Sequence, residues 1–353
     1  MCFQKKHSFF GLSILFFCSF LFSYFLLVVF SSYGFKTIVF SENGSEKRCI
    51  YAQKTGDLFC LDSRARITQI TENTFTISGK GDLKVYVKQN NGVYDLVQHS
   101  QVTYTGPKKV AILYISTGKY IKFWEGFYQA MEKYFLPRHE KTYFLFTDHD
   151  ELTVPNNVVR VHQDQLPWPY ITFKRFHFFD GVKEKLKEFD YIYFLNGTMM
   201  PVAEINEEIF PTKEQSFMVT LHPGYFRVEE RHLPYERSEK SQACVYENEG
   251  KYYFMGGFNG GTSEGFLKLI EVLKDWTDID INNNVMPCWH DESMLNGYVY
   301  RKMDIGYQPL ILIPIYAIPQ TGHGNMDELR PFAKQLILDK AKYGGHSYLR
   351  KND

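Results

Sequence analysis

Beyond Gly106-Pro107, compact apolar runs alternate with stretches of helical periodicity, and that alternation constrains the fold more than any other feature of the chain. Residues 110–115 read as a buried strand. Residues 121–136 carry Trp124, Phe127, Met131, Tyr134 and Phe135 at helical spacing, with Glu125, Glu132 and Lys133 elsewhere. Residues 142–147 form a second strand, 174–187 a second helix, and 190–195 and 216–221 further buried strands. Residues 262–276 place Phe266, Ile270, Leu273 and Trp276 on one helical face. Strands alternating with helices predict an α/β fold with a largely parallel sheet. Ligands of such sheets sit beyond the carboxyl ends of the strands.

The N-terminal part is of another kind. Residues 9–30 hold no charged side chain and are long enough to cross a hydrocarbon core of about 30 Å as a helix. Lys5, Lys6 and His7 precede this run, which places a tail of residues 1–8 in the cytoplasm. A cleaved signal peptide would be shorter and end on small residues, which Ser31-Ser32-Tyr33-Gly34 matches poorly. The expectation is a single-pass type II membrane protein, in the Golgi membrane of a eukaryote or the cell membrane of a bacterium. Residues 31–106 read as a β-rich stem: 67–71 and 74–78 alternate apolar and polar residues, and a hairpin turns around Asn90-Asn91-Gly92. The catalytic domain then occupies 107–353. Cys2 and Cys18 fall in or beside the anchor. Cys49 and Cys60 can pair in an oxidising compartment, Cys244 and Cys288 read as lone buried thiols, and no spacing resembles a zinc site. Asn43-Gly44-Ser45 is a glycosylation acceptor where the compartment permits. Acidic and basic residues balance at 40 each, so no basic excess points to nucleic acid.

Chemistry collects at strand ends. Ser116-Thr117-Gly118-Lys119-Tyr120 is a strand-to-helix turn able to offer backbone N–H groups to a phosphate, or a plain connection. Asn196-Gly197-Thr198 ends another strand. The glycine pairs of Met255-Gly256-Gly257-Phe258-Asn259-Gly260-Gly261 suit a loop that a ligand approaches closely, or simply a tight turn. Trp289-His290-Asp291-Glu292-Ser293 offers an aromatic face for sugar C–H groups and carboxylates for hydroxyls or for nucleophilic work. It reads equally well as a polar helix start.

Together these motifs, with Thr220-Leu221-His222-Pro223-Gly224, Pro234-Tyr235-Glu236-Arg237, Ser241-Gln242-Ala243 and Leu295-Asn296, resemble glycosyltransferase family 6. The resemblance runs from about Lys109 to Gln320. It implies a GT-A type, Rossmann-like nucleotide-sugar fold and retaining transfer of Gal or GalNAc from a UDP-sugar to the 3-hydroxyl of a galactose-type glycan. On the resemblance Glu292 is the catalytic carboxylate, and His290 and Asp291 orient donor hydroxyls. Ile115, Thr117 and Tyr120 fall where the family holds uracil and ribose, and Arg175 where an arginine reaches the donor. Trp289 and His222 shape the acceptor site. Gly257 favours GalNAc and Met255 galactose, and the balance leans to GalNAc. Active animal members carry Asp-Val-Asp for Mn²⁺ where this chain has Asn196-Gly197-Thr198. Neutral Asn and Thr are poor ligands for a hard cation. The expectation is therefore no metal cofactor, with Asn196 and Thr198 kept in the donor site. The UDP charge would be met by Arg175 and the tail cations Lys340, Lys342, His346, Arg350 and Lys351. The competing expectation is a binding-only protein that kept the fold and lost the metal site.

Overall fold

A computed structural model describes residues 105–351 except 227, 248, 302–308, 323–325, 327–328 and 331, together with the backbone of the strands within 26–96. The chain divides into two units, Met1–Val97 and Gln98–Asp353.

In the first unit β1 (Leu26–Val29), β2 (Phe35–Glu42), β3 (Ser45–Ala52), β4 (Leu58–Leu61), β7 (Leu83–Lys88) and β8 (Tyr94–Leu96) form one six-stranded sheet. β5 (Arg66–Ile70) and β6 (Phe75–Ser78) pair separately. The β-rich reading of this stretch holds, and β7 pairs antiparallel with β8 as a hairpin requires. Its turn lies outside the described residues. Cys49 and Cys60 are register partners on β3 and β4. One expectation changes: Leu26–Val29, read as the end of a membrane helix, is strand β1, paired antiparallel with β2. Val and Leu serve either structure, and a partner strand decides between them. Residues 9–25 and 30 lie outside the described residues, and among the described residues no helix is long and apolar enough to cross a membrane.

The second unit is mixed α/β. Its seven-stranded sheet runs β11 (Val158–His162), β10 (Glu140–Thr147), β9 (Lys109–Ile115), β12 (Tyr191–Leu195), β15 (Phe254–Thr262), β14 (Phe217–Leu221), β16 (Leu310–Leu312). β11, β10, β9 and β12 are mutually parallel. β15 pairs antiparallel with both its neighbours, and β16 follows β14 in parallel. Only β15 therefore opposes the rest, and its first residues lie beside the carboxyl ends of β12 and β14. A small sheet of β13 (Met199–Pro201), β17 (Ile318–Pro319) and β18 (Gln335–Ile337) ties the C-terminal segment to the residues just after β12.

The strand at 254–262 overturns the loop expected from its glycines. A Cβ on Gly260 would run into the Tyr193 ring and the Ile192 carbonyl, and one on Gly261 into the Ser216 carbonyl. The glycines let the strand press between crowded neighbours, a use of glycine that strand propensity alone does not anticipate. The helix expected at 174–187 is two short pieces, α3 (Arg175–Asp180) and α4 (Lys183–Leu186), with a further break ahead of them at Lys174, after α2 (Tyr170–Phe173). Gly181, a weak helix former, stands at the second break. α1 (Trp124–Tyr134) follows a 3-10 turn at Gly118–Phe123. α5 (Ser263–Asn282) outlasts its expected end, buries Phe266, Ile270, Leu273 and Trp276 and is capped by Thr262.

Candidate active site

α6 (Asp291–Arg301) begins inside the Trp289–Ser293 run, so that run is both a helix start and a cavity wall. His290 has φ 54°, a left-handed conformation that histidine tolerates better than most residues. The Trp289 N–H donates to Ser293 Oγ at 3.0 Å, closing the helix start much as a capping box does. Asp291 and Glu292 fall in the first turn, where the helix dipole favours negative charge.

Both acids are held beside Gly256, Glu292 by the glycine's N–H and Asp291 by the Arg175 that caps the glycine's carbonyl. Arg175 Nη1 donates to the Gly256 carbonyl at 2.8 Å and lies 2.6 Å from Asp291 Oδ2. The Gly256 N–H donates to Glu292 Oε2 at 2.7 Å. A Cβ on Gly256 would stand 3.0 Å from Asp291 Oδ2 and 3.3 Å from Glu292 Cβ, so glycine is what admits the strand this close. Arg175 is buried, with its guanidinium over the Phe194 and Phe176 rings. Asn296, one turn along α6, accepts the Phe254 N–H at 3.0 Å and donates to the Phe254 carbonyl at 2.8 Å, fixing helix to strand.

Glu292 keeps 19% of its side-chain surface exposed, yet it is desolvated enough that burial pushes its carboxyl up to about 7, against the pull of the Gly256 N–H. His222 accepts the Gly224 N–H at Nδ1, and its Nε2 stands 3.9 Å from Glu292 Oε1. Burial also lowers the His290 imidazole below its ordinary range.

One cavity of about 300 Å³ collects Ile115, Thr117 and Tyr120 after β9, Arg175 on α3, Asn196 and Gly257, and the strip from Trp289 to Glu292. Trp289 is 48% exposed, open to stack on a sugar. Three expected site residues are not on its wall. Thr198 is buried, His222 reaches Glu292 from outside the lining, and Met255 is buried with its methyl 2.8 Å from where a Cβ on Gly257 would be. The turn expected to offer backbone N–H groups is already engaged: Gly118 donates to Asp148 Oδ1 at 2.8 Å. Cys244 is buried as expected, whereas Cys288 is exposed, because it ends the loop before the strip rather than packing under it.

The tail closes over the same cavity, which Lys340 and Arg350 line. Lys340 is pushed down to about 8, first by burial and then by Arg350. The same two charges, after burial, lower His346. Lys342 and Lys351 are not on the wall, and Lys119 holds the tail by donating to the Lys351 carbonyl at 3.3 Å. Sequence reasoning missed Trp168, which lies under Arg350 at 3.7 Å and edge-on to His290 at 5.2 Å. A tryptophan between two prolines, Pro167 and Pro169, was the available signal.

The chemistry of the donor set does not fit Mn²⁺. Asn196 brings an amide to the cavity, and the Gly197 carbonyl accepts the Tyr114 hydroxyl at 2.8 Å. Thr198 is buried. The Asn196–Thr198 stretch thus brings no carboxylate of its own to the cavity, and hard divalent cations prefer carboxylates.

The model of glycosyltransferase family 6 matches residues 90–317, more than half of the chain. The chain belongs to glycosyltransferase family 6. It is 33% identical over 246 residues to the O-antigen biosynthesis glycosyltransferase WbnI of Escherichia coli, covering 69% of this chain and 99% of that protein. It is 30% identical over 190 residues to the histo-blood group ABO system transferase 1 of Rattus norvegicus, and 28% identical over 200 residues to the globoside alpha-1,3-N-acetylgalactosaminyltransferase 1 of Mus musculus. The matches span about half the length of the two rodent proteins, 53% and 56%. The family 6 chain is thus a hexosyltransferase, with a nucleotide-sugar donor and a glycan acceptor. The binding-only alternative finds no support in a site that keeps Glu292 clasped at the cavity wall.

Proposed function

We propose that this family 6 enzyme transfers GalNAc or Gal from UDP to the 3-hydroxyl of a galactose-type acceptor, with retention, on a GT-A framework and without a metal ion. The observation that carries the reading is the composition of one cavity: a desolvated carboxylate, Glu292, and two tail cations, Lys340 and Arg350, line the same space. Retention suits a carboxylate on the sugar face opposite the leaving group, by analogy with retaining glycosidases. As the bond to UDP breaks, Glu292 stabilises positive charge at the sugar carbon, while Lys340 and Arg350 take up the charge growing on the diphosphate. Asp291, fixed by Arg175, and His290 receive donor hydroxyls. Trp289 and His222 receive the acceptor. Gly257 on the cavity wall favours GalNAc, whereas Met255, buried with its methyl against Gly257, is the galactose-type residue, so the preference leans to GalNAc without excluding Gal.

The test is transfer from UDP-GalNAc and UDP-Gal to galactose-terminated acceptors, with EDTA or with Mn²⁺. Turnover undiminished by EDTA is expected, and strict dependence on Mn²⁺ would overturn the metal-free part. Glu292→Gln should lower kcat by at least about a hundredfold, and wild-type turnover in that variant would remove Glu292 from its role.

We infer also a type II anchor at the N-terminus. β1 leaves the apolar sequence of residues 9–25 for such an anchor, a length at the lower limit for spanning a bilayer as a helix. Release of the full chain from membranes by alkaline carbonate would count against it.

A further inference from the structure

Tyr253 immediately precedes β15 and is 2% exposed. Its carbonyl accepts the His222 N–H at 2.9 Å, and its ring packs against those of His222, Tyr225 and Tyr235 at 5.8, 5.1 and 5.5 Å. These contacts fix the ring while leaving its polar end unexplained. The hydroxyl is buried and makes no hydrogen bond of ordinary geometry among the described residues. A buried donor without a partner is unusual in a native structure and calls for a reason. Glu292 supplies one. The phenol faces Glu292 closely enough that each shifts the other: the Tyr253 hydroxyl lowers the carboxyl and the carboxylate raises the phenol.

We propose that Tyr253 is a positioning residue for Glu292, its phenolic O–H donating to the carboxylate and holding it aimed at the sugar carbon through the transfer. The start of β15 then grips the carboxylate twice, from the Gly256 N–H at 2.7 Å and from the Tyr253 hydroxyl. Burial and the Glu292 charge both keep the phenol protonated, so it acts as a donor and never as a second anion. The inference rests on Glu292 being the reacting carboxylate.

The other groups facing this carboxylate set the sign of a pH test. Asp291 raises the Glu292 carboxyl, while Arg175 and the Gly256 N–H lower it. His222 stands 3.9 Å away, and Tyr225 and Cys288 lie around Tyr253 and the carboxylate. Removing the Tyr253 donor from this balance disfavours the charged form, so the carboxyl rises.

The experiment is the pH profile of kcat and of kcat/KM for the full chain and for Tyr253→Phe, with Glu292→Gln as reference. In Tyr253→Phe the acid limb should move up by about one pH unit, kcat should fall about tenfold at neutral pH, and the donor KM should stay within about a factor of two. An unmoved limb and unchanged kcat, with Glu292→Gln inactive, overturns the inference and leaves the catalytic assignment standing. Turnover surviving in Glu292→Gln overturns the catalytic assignment itself. Should Tyr253→Phe fail to fold, 3-fluorotyrosine placed at 253 keeps ring and hydroxyl and makes a stronger donor. It should move the limb the other way, to lower pH, and a limb that stays in place refutes the role.

Discussion

The two charged regions of the cavity are built on opposite plans. Around α6 each charge has its counterpart: Arg175 lies 2.6 Å from Asp291, and Glu292 takes the Gly256 N–H. In the tail, Lys340 and Arg350 face the same space with no carboxylate paired to either among the described residues. Each instead leans on an aromatic ring, Tyr120 under Lys340 and Trp168 under Arg350. Burial and the neighbouring charge push Lys340 down to about 8, the mark of a cation left without its anion. The first region carries its own ion pair, although Arg175 Nε and Nη2 and His290 Nδ1 are buried there without a hydrogen-bond partner among the described residues. The second suits a bound anion, which under the proposed function is the diphosphate of the donor. Under the metal-free function proposed above, Asn196 and these two side-chain cations would face that charge.

Breaking the compensated side should cost most. Arg175→Ala strands Asp291 beside Glu292 and should destabilise the fold by about 3–5 kcal/mol, read as a lowered Tm together with loss of activity. An unchanged Tm would mean that the pair is not the keystone described. Removing tail cations should do the reverse. Lys340→Met with Arg350→Met should weaken UDP binding by about tenfold or more and leave Tm unchanged or slightly raised, because two mutually repelling charges have been removed. Calorimetric titration and a thermal melt decide this together, and unchanged UDP affinity would place the diphosphate elsewhere.

Smaller effects follow from the titrations. Lys340 must carry its proton to attract the diphosphate, so UDP affinity should be highest below about pH 8 and decline as pH rises through that value. Lys340→Arg should flatten the decline, and a wild-type affinity constant between about pH 7 and pH 9 contradicts the assignment. Glu292 must lose its proton to act, so kcat/KM should rise with pH through about 7. A profile already flat from about pH 5 upward would show the carboxylate to be better solvated than its surroundings suggest.

The sequence was most readable where one physical rule acts alone. Residues 110–115 and 190–195 are continuous apolar runs and are strands β9 and β12 within a residue of the expected ends. The Trp289–Ser293 run is legible as a helix start, which it is, and as a set of ligand groups, and the structure puts Trp289 to Glu292 of that run on a cavity wall. Where two rules compete, tertiary structure decided. Glycines argue for a turn at 254–262, yet the closeness of Tyr193 and Ser216 makes them the price of a central strand. A helix-like stretch at 174–187 breaks into pieces so that Arg175 can be buried against Gly256 and Asp291.

By itself, then, the sequence determined the α/β plan, the family and the groups available for chemistry, because these follow from local periodicity and from residue types in order. Only the folded chain decided which charges are neutralised and which are left open, that Trp168 lies under Arg350, and that Tyr253 turns its hydroxyl toward Glu292. Those facts depend on distances between residues far apart in sequence and on how much water burial removes. No local pattern encodes either quantity.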